Sequence, residues 1–185
     1  MLNVPNFLTL LRIVAIPVFL IFLTDGRFGW ALLVFVLAGL TDSLDGLIAR
    51  LTNTRTTLGA YMDPLADKML LVSAFVVLAF MEAVPRWLTV VVISRDVLIL
   101  SGYLTLFLLT QQAMEIRPSA FSKASTFLQL LTLSVVLLHL WRTGEGAALL
   151  WWLFIVTALV TAISGVHYIV RGLRWYQETT DAARP

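Results

Sequence analysis

Apolar residues in this chain run in long blocks, separated by short polar connections. Six apolar stretches can be read, at about Phe7–Leu23, Phe28–Leu47, Pro64–Phe80, Trp87–Leu109, Phe121–Leu140 and Leu149–Val170. Each is close to the roughly 20 residues that cross a bilayer as a helix. The connections, around Thr24–Arg27, Met81–Arg86, Thr110–Ser119 and Arg142–Ala147, leave no room for a soluble module. The pattern predicts an all-α, polytopic membrane protein with six transmembrane helices in one bundle. It is read as a single domain over 1–185 whose tail, 176–185, is polar. Asn6 is expected to cap the first helix, Pro17 to kink it, and Pro64 to open the third as its first-turn residue. The first stretch has no basic residues ahead of it and no small-residue cleavage site, so it reads as a retained helix.

Composition agrees with this picture. Of 185 residues 59% are apolar and 13% charged, against about 25% charged in soluble domains. There is no cysteine, which excludes disulfides, a thiol nucleophile and thiolate metal sites. A net charge of +2 does not argue for nucleic acid. The placement of the basic residues is more informative. With the N-terminus inside, Arg12, Arg50, Arg55, Lys68, Arg117, Lys123, Arg171, Arg174 and Arg184 fall on the cytoplasmic side and only Arg27, Arg86 and Arg142 opposite. That bias puts both termini in the cytoplasm.

One polar run breaks the apolar pattern: TDSLDGLIARLTNTRTTLGAYMDPLADK. Carboxylates at membrane depth persist where they line a polar cavity, pair or bind ions. Asp42 and Asp45 are three apart, and Asp63 and Asp67 four apart, so each pair shares a helix face. Such hard oxygen donors suit Mg²⁺ or Mn²⁺ and not zinc. Because Mg²⁺ completes its shell with substrate phosphates, the cluster implies a phosphate-bearing substrate. Gly46 and Gly59 permit close backbone approach. Ala49 leaves room for a flat group such as a nucleobase, and Arg50 can grip a phosphate through two parallel bonds. A buried ion network is the structural alternative, but Arg50, Arg55 and Lys68 are too few and too peripheral to neutralise four carboxylates.

The spacing Asp42-x2-Asp45-Gly46-x2-Ala49-Arg50-x8-Gly59-x3-Asp63-x3-Asp67 resembles the signature of the CDP-alcohol phosphotransferase family at all eight fixed positions. The Asn6-Phe-Leu-Thr9-Leu-Leu-Arg12 pattern and the length are also similar, so the resemblance covers essentially the whole chain. It implies an integral-membrane enzyme that moves a phosphatidyl group from CDP-diacylglycerol to an alcohol and releases CMP. Asp42, Asp45 and Asp63 would hold two divalent ions, Mg²⁺ or Mn²⁺, against the diphosphate, with Asp67 contributing. Asp67 is also the general base that the resemblance implies. Together with Asp42 and Asp45, Gly46, Ala49, Arg50 and Gly59 would shape the CDP pocket. A homodimer is implied, in a bacterial inner membrane with the active site facing the cytoplasm.

The acceptor is read outside the signature. Arg95 in the fourth span, Arg117 and Lys123 are candidates for binding it, with mutual pairing of Arg95 and Asp96 as the structural alternative. Two subfamilies fit, phosphatidylglycerophosphate synthases and cardiolipin synthases. Ile93-Ser-Arg-Asp-Val97 and Pro118-Ser-Ala-Phe-Ser122-Lys123 look more like the latter. A Gly-Leu-Arg found in glycerophosphate-using members is replaced here by Gly102-Tyr103-Leu104. The expected acceptor is therefore phosphatidylglycerol, with glycerol 3-phosphate second. His139 and His167 are isolated and form no metal set, while Gln129 and Tyr103 are candidate headgroup contacts. Trp30, Trp87, Trp141, Trp151, Trp152 and Trp175 lie near span ends and read as an aromatic belt. The rival from another class is a divalent-cation transporter, which would not need Gly46, Ala49, Arg50 and Gly59. An intramembrane prenyltransferase would carry its aspartate motifs far apart in sequence, and four intact carboxylates argue against a non-catalytic subunit.

Overall fold

The computed structural model describes the backbone of residues 4–52, 57–111, 119–142 and 147–182, and side chains over 10–41, 68–111, 119–142 and 149–180. All regular structure among these residues is helical: α1 (Val4–Thr24), α2 (Phe28–Thr52), α3 (Thr57–Phe80), α4 (Arg86–Thr110), α5 (Ala120–Arg142) and α6 (Ala147–Ala182). Three of them, α4, α5 and α6, are long and apolar enough to cross a membrane. In α1, α2 and α3 the described residues contain shorter apolar segments, Leu10–Thr24, Phe28–Thr41 and Lys68–Phe80.

Several boundaries differ from expectation. Helix α1 begins at Val4, so Asn6 is inside it and not its cap. Helix α3 begins at Thr57, which puts Pro64 in its interior. Membrane helices tolerate such prolines because neighbouring groups re-satisfy the freed carbonyl, and Pro17 lies inside α1 in the same way. Helix α6 runs past the apolar stretch that ends at Val170 and into the polar tail, as far as Ala182.

The chain divides into two compact units: Met1–Val84 with Leu133–Ala147, and Pro85–Thr132 with Ala148–Pro185. In the first, α1 packs on α2 and α3. Its core is a helical-period stripe from each element: Ile16, Phe19 and Leu23 on α1, Ala31, Phe35 and Ala38 on α2, and Leu70, Ala74, Phe75 and Leu78 on α3. The rings of Phe19 and Phe35 meet at 5.7 Å. Leu133, Val136 and Leu137 of α5 belong to the same unit and are fully buried. Trp141 lies so close to Gly29 that a Cβ there would come within 2.8 Å of the indole nitrogen.

The turn from α1 to α2 is a Schellman cap. Gly26 has φ +71°, its N–H donates to Leu23 O at 3.2 Å, and the Arg27 N–H donates to Phe22 O at 2.9 Å. Two carbonyls that the helix end would leave unsatisfied are thereby bonded. Helix α3 ends in the same way, with Glu82 at φ 59° and the Ala83 N–H on Leu78 O at 2.9 Å.

In the second unit the core is inverted. Thr89, Arg95, Ser125, Gln129, Thr132, Thr157, Thr161 and Ser164 are buried, while Leu100, Leu104, Leu108, Leu159, Ile163 and Val166 are exposed. An apolar exterior of that extent is untenable in water and ordinary against lipid, where small and polar residues hold helices together.

A side chain at Gly26 would meet nothing within 4 Å, so its only penalty is the left-handed backbone. Gly26→Ala is expected to cost about 1 kcal/mol and lower the thermal midpoint in detergent by roughly 2–4 °C. An unchanged midpoint would mean that the cap contributes nothing.

Candidate active site

The acidic run is carried on two helices. Positions 42 and 45 lie within one turn of α2, which continues unbroken to Thr52. Positions 63 and 67 are one turn apart in α3. Both segments belong to the first unit. The side chains of Asp42, Asp45, Gly46, Ala49, Arg50, Gly59, Asp63 and Asp67 lie outside the described residues, as does Arg117. Among the described residues, no group of three or more His, Asp or Glu could hold a metal.

At the edges of the acidic run the side chains are described. Thr41, just before Asp42, donates its hydroxyl to Leu37 O at 2.8 Å and lies 2.9 Å from Ala38 O. Lys68, just after Asp67, is exposed. In the same unit Arg12 is 1% exposed. The sequence presents Arg12 as a charge on the cytoplasmic side and as the last residue of the Asn6–Arg12 pattern, neither of which reports its burial. The missed signal was the cost of a guanidinium inside an apolar helix, which makes an intramembrane arginine a functional candidate by default.

The second unit holds the candidate acceptor residues. Arg95 of α4 is 8% exposed. Its Nη1 donates to Asp96 Oδ1 at 2.6 Å, and its Nη2 donates to Ser122 Oγ at 2.6 Å and Ser164 Oγ at 3.1 Å. The guanidinium carbon sits 5.7 Å from the centre of the Tyr168 ring, within cation–π range. Nε is buried with no hydrogen-bond partner among the described residues. The paired alternative for Arg95 and Asp96 is therefore the arrangement seen. One arginine ties together α4, the first turn of α5 and the middle of α6. Gly165 faces the Arg95 stem, where a Cβ would stand in ordinary contact with it at 3.5 Å. Lys123, next to Ser122, is exposed.

From Arg95 a ladder of polar contacts follows the α5–α6 seam. Ser125 and Thr161 hydroxyls are 3.0 Å apart, and Gln129 Nε2 donates to both, at 3.1 and 3.2 Å. Thr132 and Thr157 hydroxyls are 2.7 Å apart. Because Thr132 gives its proton to Leu128 O at 2.7 Å, Thr157 is the donor to Thr132. Gln129 is thus a buried seam residue, 3% exposed, and not a headgroup contact. The His167 ring packs on Phe121, 5.5 Å between centres.

Comparison with known proteins identifies the chemistry that such a chain carries. A family model described as CDP-alcohol phosphatidyltransferase matches residues 2–170. The chain belongs to that family of membrane enzymes. Among its relatives, a probable phosphatidylglycerophosphate synthase of Mycobacterium tuberculosis is 36% identical over 180 residues, covering 93% of this chain and 82% of the relative. The cardiolipin synthase (CMP-forming) of Homo sapiens is 35% identical, covering 97% of this chain and 64% of the relative. The CDP-diacylglycerol–glycerol-3-phosphate 3-phosphatidyltransferase of Bacillus subtilis is 32% identical, covering 75% and 78%. The relatives of this phosphatidyltransferase thus divide between two acceptors.

The seam of the phosphatidyltransferase's second unit can be tested by itself. Thr157→Val and Thr132→Val each keep shape and remove one side of a buried hydroxyl pair. Each is expected to destabilise by about 1 kcal/mol, with a coupling energy near 0.6 kcal/mol in a double-mutant cycle. Strict additivity, measured by unfolding in mixed micelles, would show that the two hydroxyls do not interact.

Proposed function

We propose that the protein is a phosphatidyltransferase that uses CDP-diacylglycerol as donor and phosphatidylglycerol as acceptor, forming cardiolipin and CMP. The observation that carries this reading is the eight-position acidic signature, borne on two continuous helices within the span matched by the family model. Asp42, Asp45, Asp63 and Asp67 fit a pair of Mg²⁺ or Mn²⁺ ions, since the donor set is purely hard oxygen and its two pairs sit one turn apart on their helices. When bound, those ions would supply electrostatic stabilisation of the diphosphate oxygens and of the charge developing on CMP.

The residues of the chain do the remaining work. Gly46, Ala49 and Gly59 form the floor of the CDP pocket, and Arg50 binds a phosphate. Asp67 removes the proton from the acceptor hydroxyl. The acceptor oxygen forms a bond to the lipid-side phosphorus as the bond from that phosphorus to the bridging oxygen breaks, and CMP leaves with the bonding pair. Holding acceptor and donor in line supplies much of the rate enhancement. Lys123 and Arg117 meet the acceptor phosphate. Arg95 also serves the acceptor: its Nη groups are engaged within the second unit, so its part is to hold Ser122, and with it Lys123, in place.

The assembly is read as six spans in one catalytic domain, a homodimer in a bacterial inner membrane with both termini and the active site cytoplasmic. The bias of basic residues toward one side supports that orientation. Glycerol 3-phosphate is the second reading, supported by the names of the Mycobacterium and Bacillus relatives.

Purified protein given CDP-diacylglycerol and Mg²⁺, with phosphatidylglycerol or glycerol 3-phosphate in parallel, is expected to make cardiolipin and CMP from the first. Phosphatidylglycerophosphate from the second alone would overturn the acceptor assignment. Asp67→Asn is expected to lower turnover by a factor of about 10² to 10⁴ while retaining CDP-diacylglycerol binding. Near-normal turnover would remove Asp67 from the role of base. Chelating divalent ions is expected to abolish turnover, with recovery on adding Mg²⁺.

A further inference from the structure

A groove in the second unit plays no part in the function proposed above, although Tyr103, a candidate headgroup contact by sequence, lies on its lining. It runs between the second half of α4 and the last third of α6 and encloses about 360 Å³. Leu98, Ile99 and Leu106 line one wall and Ile169 and Leu173 the other. Gly102 opens it: a Cβ at that position would meet nothing within 4 Å. The polar side chains on its lining include Arg171, Tyr103 and Tyr168. The Tyr168 ring is also the one beneath which Arg95 sits, 5.7 Å away.

Depth along α6 decides what such a groove can hold. Trp151 and Trp152 are exposed near the start of the helix, where an aromatic belt meets the headgroups. Arg171 follows twenty positions after Trp151, about 30 Å further at 1.5 Å per residue, which is the thickness of the hydrocarbon core. Arg171 therefore stands at the opposite headgroup layer, with exposed Arg174 nearby on the same helix. On α6 the wall residue Ile169 lies two positions back from Arg171 toward the bilayer centre, and Leu98 and Ile99 of α4 line the same groove. Apolar walls at hydrocarbon depth beneath a guanidinium at phosphate depth match the two ends of one anionic diacyl phospholipid.

We propose that the α4–α6 groove is a binding site for one anionic phospholipid, held by its phosphate at Arg171 and by an acyl chain over Gly102. The site does not depend on the acceptor reading, and the probe is chosen to keep the two apart. Phosphatidic acid carries the anionic phosphate and both tails but no acceptor hydroxyl. Full-length protein in detergent is mixed with equal phosphatidic acid and phosphatidylcholine, and the retained lipid is counted by native mass spectrometry. One phosphatidic acid is expected to stay bound to the wild type in preference to phosphatidylcholine. Arg171→Gln is expected to reduce that preference roughly fivefold. Gly102→Leu, which fills open space and suits a helix better than glycine, is expected to lose the retained lipid altogether. Asp67→Asn should retain it unchanged. Equal retention by wild type and both groove variants would overturn the proposal. So would a change of oligomeric state in Gly102→Leu without loss of lipid, since the occupant would then be a second copy of the chain.

Discussion

A polar group at membrane depth has no water to bond to, so it must find its partner inside the protein. The second unit is built around that constraint. Beside Leu88, Val92 and Phe154 its buried positions include hydroxyls, an amide and a guanidinium, and each hydroxyl of the α5–α6 seam is bonded across to the other helix or back to its own backbone. Lipid is as apolar as leucine, so burying leucine there would add no drive for helix association. Directional pairs supply what the hydrophobic effect does not, and they also set the register of the two helices. Ser125 opposite Thr161 and Thr132 opposite Thr157 leave little freedom to slide.

Arg95 occupies the end of this seam, where its cost is offset by several partners at once. A lone guanidinium at that depth would be expensive. Here two nitrogens are bonded and the ring of Tyr168 covers the carbon. The arrangement accounts for the neighbouring residue types. Ser122 and Ser164 bring acceptors on short side chains that do not push the helices apart. Asp96 balances the charge at the adjacent position. The same cluster holds the start of α5, so Lys123 is carried on a fixed support although its own side chain is exposed.

Much of this was legible in the sequence, and the failures have physical causes. The six helices followed from the apolar runs because a membrane-length block leaves the backbone one economical conformation. The α3 start was missed because Pro64 reads as a first-turn residue in water, a rule that relaxes in a bilayer. Helix α6 outruns the apolar stretch that ends at Val170 because hydropathy reports depth and not conformation. The seam could have been read: Ser122, Ser125, Gln129 and Thr132 recur at three- and four-residue steps, as do Thr157, Thr161 and Ser164. Taken one at a time, Gln129 looked like a headgroup contact. Taken as a stripe, it belongs to a face. Arg12 was passed over for a related reason, since it was tallied by sidedness before its burial was asked about. The acidic signature stood out because four carboxylates interrupt an apolar sequence with few cations beside them.

The two units carry different burdens, and their compositions follow. The first packs α1, α2 and α3 through aromatic and aliphatic stripes, and two of those helices carry the acidic run. The second unit instead has a polar seam on one side of α6 and an open groove on another. Tyr168 stands between the two, its ring against Arg95 and its edge on the groove. Arg95 in turn reaches Ser122 in the first turn of α5, so one run of contacts joins the groove wall to the residue before Lys123.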